Sequence, residues 1–62
     1  MVRHYLVIWQ VGLYESSRTE TALDVDIGVC DNAIVRLGKI KEALSRVVGG
    51  FPHKRILGIY VL

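Results

Sequence analysis

This 62-residue chain has one cysteine, one proline, no strong excess of charge and no long hydrophobic run near its N-terminus. A lone Cys30 excludes an internal disulfide framework and leaves a zinc knuckle without its second thiolate, so a reducing, cytoplasmic setting is expected. With Pro52 as the single proline, and no repeat or low-complexity tract, nothing divides residues 1–62 into more than one small domain. The apolar run at residues 5–9 is bounded by Arg3-His4 and Gln10, too short for a membrane span or a signal-peptide core. A soluble chain without a membrane partner is therefore expected. Eight Lys and Arg against six Asp and Glu give a net charge of +2, which permits an anionic partner without demanding one. Gly49-Gly50 follows the apparent helix and does not precede it, so no glycine-rich phosphate cradle faces a helix N-terminus there.

What is present is apolar. Hydrophobic residues make up 52% of the chain and the mean hydropathy is +0.37, which excludes a disordered tail. A domain of this size buries only about 60% of its unfolded surface, so apolar side chains are in surplus.

From Val2 to Tyr14 the residues suit a strand, with Tyr5, Val7, Trp9, Val11 and Leu13 as an inward row. Residues 15–19 are polar and suit a turn, after which Leu23, Val25, Ile27 and Val29 alternate with Asp24, Asp26 and Gly28 in a second strand. Asp31 stands where an N-terminal helix cap belongs. Ala33, Leu37, Ile40, Leu44 and Val47, widened by Ile34 and Val48, form a helical stripe opposite Lys39, Glu42 and Arg46, and Gly49 closes it. Residues 54–62 read as a third strand, with Leu57, Ile59 and Val61 inward and Ile56, Tyr60 and Leu62 outward.

Matching the two inward rows centres the hairpin on Ser17, so that Trp9 opposes Val25, Tyr5 opposes Val29 and His4 opposes Cys30. A right-handed crossover through the helix then sets strand three beside strand one. The expected architecture is α+β: a β-β-α-β chain forming a three-stranded antiparallel sheet, order 2-1-3, with the helix on one face.

One helix covers one face, which leaves Leu6, Ile8, Ile56, Tyr60 and Leu62 on the other, around a gap at Gly58. Strand three carries no charge after Arg55, whereas strand two, at the opposite edge, carries Asp24 and Asp26. These five residues are the expected interface, and a homo-oligomer, foremost a dimer, is the expected partner state. A second function class is nucleic-acid binding, with Arg36, Lys39, Arg46, Lys54 and Arg55 along the helix outer side and the 49–55 loop, where Phe51 could stack on a base. Against it, Glu42 stands in register to pair with Arg46, as on any solvated helix face.

No enzyme is expected. Asp24 and Asp26 share a strand face but have no cleft to desolvate them, and Ser16-Ser17 has no histidine nearby in the sequence. His4, Cys30 and Asp31 make an incomplete metal set, so neither metal nor cofactor is expected. In element order the chain is similar to several small phage-encoded proteins, among them an inhibitor of host RNA polymerase built as strand, strand, helix, strand. That resemblance implies a regulator or inhibitor of a larger host protein and transfers no residues.

Overall fold

A computed structural model of the protein describes residues 1–49 and 53–62. The chain runs β1 (Val2–Val11), β2 (Tyr14–Asp26), α1 (Ala33–Val48) and β3 (Lys54–Val61), and the antiparallel sheet has the order β2-β1-β3. This is the α+β arrangement expected. The part of the 49–55 loop that holds Phe51 and Pro52 lies outside the described residues.

The hairpin register differs from the expectation. Tyr5 opposes Leu23, Val7 opposes Thr21 and Trp9 opposes Thr19, so Trp9 pairs six residues away from Val25. The turn is made by Gly12 and Leu13, and residues 15–19 are strand. Gly12 has φ +52°, and with glycine first in a two-residue loop the chain reverses in the sense that matches strand twist. Because six is even, the slide keeps each inward row inward: Tyr5, Val7, Trp9, Leu23, Val25 and Ile27 are all buried. Leu13 and Val29 leave the core row, one in the turn and the other beyond the end of β2, and both are exposed.

Three extra β2 residues beside Gln10 disrupt the ladder between Trp9 and Val11, and side chains take over its polar groups. Val11 N–H donates to Ser17 Oγ at 2.8 Å, and that hydroxyl donates to the Tyr14 carbonyl at 2.6 Å. Buried Gln10 donates to the Gly12 carbonyl and accepts from Arg18.

A second irregularity, between Ile8 and Trp9, faces β3. Ile8 opposes Gly58 but Trp9 opposes Ile56, so Leu57 is the extra residue of a bulge. The odd count reverses parity below it. Ile56, expected on the outer face, packs against the core on the helix side, and Leu57, expected inward, turns outward.

Helix α1 starts one residue later than expected, since Asn32 and not Asp31 is the cap: its Oδ1 accepts the Val35 N–H at 2.9 Å. Asp31 instead clasps the loop, accepting the Gly28 N–H at 2.8 Å and lying 2.5 Å from Lys39 Nζ. The helix ends at Gly49, with φ +75°. Its backbone runs close to β2 alone, so the buried stripe is narrower than the apolar one: Ile40 and Leu44 are buried, Ala43 and Val48 partly so, and Ala33, Ile34, Leu37 and Val47 are exposed.

The Asp31 clasp has a pH signature. Hydrogen bonds from Lys39, first, and from the Gly28 amide hold the Asp31 carboxyl below its ordinary value of 3.8. A carboxyl lowered in the folded state stabilises fully above its unfolded value and loses that contribution as pH falls through the lowered one. Thermal melts between about pH 2 and pH 6 should therefore show a steeper acid loss for the native chain than for Asp31→Asn. Parallel curves would mean that the clasp adds nothing.

Candidate functional site

The outer sheet face is built by the even residues of β1. Leu6 lies between Ala22 of β2 and Tyr60 of β3, and Ile8 lies between Glu20 and Gly58. Leu62 continues the row, its N–H donating to the His4 carbonyl at 2.9 Å. Of the five expected interface residues, Leu6, Ile8, Tyr60 and Leu62 thus share this face, and Ile56 does not; Leu57 takes its place. Ile8, Leu57 and Tyr60, with Arg18, Thr19 and Glu20, line a shallow depression there.

Gly58 leaves no gap. A Cβ at that position would lie 3.1 Å from Tyr60 Cε2 and 3.2 Å from its hydroxyl, so the ring lies across the glycine backbone. The phenol is held flat against the sheet yet is more than half exposed, a rigid aromatic presented to whatever lands there.

The two sheet edges differ. On β2, Asp24 Oδ1 is 2.5 Å from His4 Nδ1, and Asp26 Oδ1 is 2.9 Å from the Met1 amino group. The N-terminal ammonium, mainly through that hydrogen bond, lowers the Asp26 carboxyl below its ordinary value. On β3, no charged side chain follows Arg55. Since the Leu62 N–H points to β1, strand alternation turns the backbone groups of Val61 and Ile59 away from β1, toward the open edge.

The five expected nucleic-acid residues are dispersed. Lys39 is bound to Asp31, and Arg46 Nη2 is 2.5 Å from Glu42 Oε1; both line the side of α1 that faces the β2 carboxylates. Lys54 lies on the other side of α1, donating to the Gly49 carbonyl, and Arg36 is near the helix start. Arg55 opposes Gln10, on the face away from the helix. Stacking by Phe51 lies outside the described residues.

His4 faces Asp24 and not Cys30, a consequence of the corrected register, and Cys30 is exposed. Among the described residues no cluster of three metal-ligating side chains occurs. No helix among them is long and apolar enough to cross a membrane.

The signal that sequence reasoning missed is Val11-Gly12-Leu13-Tyr14: glycine first in a two-residue loop between β-prone runs fixes the register, and with it the neighbours of every outer-face residue. Comparison of the chain with protein-family models, curated proteins and solved structures finds no match.

Proposed function

We propose that the chain is a non-enzymatic interaction module that associates with a second copy of itself through β3 and the outer face of the sheet. The observation that carries this reading is the asymmetry of the edges. β2 is guarded by carboxylates, whereas β3 offers unpaired backbone groups at Ile59 and Val61 beside an apolar face bearing Tyr60, Leu57 and Leu62. Pairing of β3 with its counterpart would extend the sheet and bury apolar area that 62 residues cannot bury alone. On this reading exposed Cys30 stays a thiol in a reducing cytoplasm. Such a module acts by occupancy, and its output is the regulation or inhibition of a larger host protein.

Native chain should sediment above monomer mass and melt at a temperature that rises with protein concentration. Tyr60→Asp should shift it toward monomer while leaving the helix-side core intact. Ile59→Asp, at a residue packed against the core, should damage folding itself. A native monomer at all concentrations, or Tyr60→Asp with unchanged mass and melt, overturns the reading.

A further inference from the structure

The free edge of β3 specifies its partner residue by residue. From Gly58 to Leu62 the strand alternates regularly. Tyr60 opposes Leu6 and the Leu62 N–H donates to the His4 carbonyl, so Tyr60 and Leu62 turn their backbone groups to β1, while Ile59 and Val61 turn theirs to the open edge. The bulge at Leu57 breaks that alternation, which confines the edge available for regular pairing to the residues after it. Helix α1 does not obstruct this edge, because its backbone runs close to β2, on the far side of β1.

Two identical edges related by a two-fold axis normal to the sheet pair antiparallel, and the outward groups then choose the register. Centring on Ile59 sets Val61 against the bulged Leu57 of the second copy. Centring on Val61 sets Ile59 past the end of the other β3, which stops at Val61. Centring on Tyr60 opposes Ile59 to Val61 in both directions, so each outward amide meets an outward carbonyl.

The side chains agree with that register. On the outer face it sets Tyr60 against Tyr60 of the second copy, at a non-hydrogen-bonded position where opposed side chains approach most closely. Each ring already leans across its own Gly58, so in antiparallel strands the two rings lean in opposite directions and do not collide. Leu62, exposed in the single chain, lands opposite Gly58 of the second copy and beside the ring that lies there. On the helix side, exposed Val61 gains Ile59 as its neighbour. Lys54 and Arg55 precede the bulge and fall outside the paired segment, so no like charges are opposed.

Resting on the self-association proposed above, we infer that two copies form one continuous antiparallel sheet, in the order β2-β1-β3-β3-β1-β2, with the two-fold axis through the Tyr60 pair and Ile59 of each copy bonded to Val61 of the other. The site is self-complementary: each copy supplies the leucine that meets the ring of the other.

The test uses the full chain with its exposed thiol removed by Cys30→Ser. Single cysteines are then introduced by Ala22→Cys, Ile59→Cys, Tyr60→Cys or Val61→Cys, each variant's melt is checked at low concentration, and diamide is added to oxidise paired thiols to disulfides. Tyr60→Cys should give a covalent dimer on a non-reducing gel, because opposed Cα atoms about 4.5 Å apart fall within disulfide reach. Ile59→Cys and Val61→Cys should not, since in this register each meets its own counterpart only diagonally, about 7–8 Å away. Val61→Pro removes an N–H that points to the open edge, so it should keep the low-concentration melt yet sediment as a monomer. A native chain that is monomeric at every concentration overturns self-association and the register with it. An assembled native chain leaves self-association standing but overturns the register if Val61→Pro keeps the assembled mass or if Tyr60→Cys gives no covalent dimer. The register falls equally if cross-linking is strongest at Ile59→Cys or Val61→Cys, which moves the axis, or at Ala22→Cys, which stacks the two outer faces on each other.

Discussion

Leu44→Ala is expected to remove a large part of the chain's stability, while Val47→Ala, three residues along the same apolar stripe, leaves its melt within about 0.5 kcal/mol of native. Leu44 is 1% exposed and Val47 62%. Removing a fully buried leucine side chain costs about 2–5 kcal/mol in lost burial and residual cavity. A chain of this length holds about 3–9 kcal/mol in total. The helix adds to the deficit, because Ile40 and Leu44 are its two buried residues and its backbone lies near β2 alone. Denaturant titration with circular dichroism measures both variants. Equal midpoints would mean that α1 lies on the sheet with a different face inward.

Gly12 carries the second large effect. Its φ of +52° lies where β-branched residues rarely go, yet a Cβ there would meet nothing within 4 Å. Space and backbone conformation are thereby separated. Gly12→Val should destabilise by about 1–2 kcal/mol relative to a synthetic chain with D-alanine at position 12, because a D residue adopts positive φ freely and L-valine does not. The Gly12 N–H bond to the His53 carbonyl, at 2.7 Å, remains available to both variants. Equal melts for the two would show that the turn readily adopts another geometry.

The same glycine explains what could be read from the sequence. Alternation told which side of each strand faces the helix, and Tyr5, Val7, Trp9, Leu23, Val25 and Ile27 are buried as that alternation requires. It could not tell which residue sits opposite which, because any even slide preserves faces. Polar residues 15–19 resemble a turn in composition alone, and the conformational demand met by Gly12 decided otherwise. The exchange of Ile56 and Leu57 was hidden for a related reason: every residue from Ile56 to Leu62 except Gly58 is hydrophobic, so no alternation marks where a bulge reverses parity. On the helix, the apolar stripe is wider than the strip that β2 covers. Composition named the surplus, and only the lateral position of α1 showed that Ile34, Leu37 and Val61 belong to it.

That lateral position also sets a hierarchy of local opening. β1 is bonded on both sides, to β2 and to β3, and holds Val7, which is wholly inaccessible. The amides at its centre exchange with solvent only when the whole domain opens. β3 is bonded on one side and only half-covered, and the first turns of α1 expose Ile34, Val35 and Leu37, so these segments open at lower free energy. The loosest parts of the molecule are thus the first turns of α1 and the free edge of the sheet. A partner on either one closes openings that are otherwise frequent, and deuterium uptake at β3 and early α1, against a constant background in β1, distinguishes which surface it has taken.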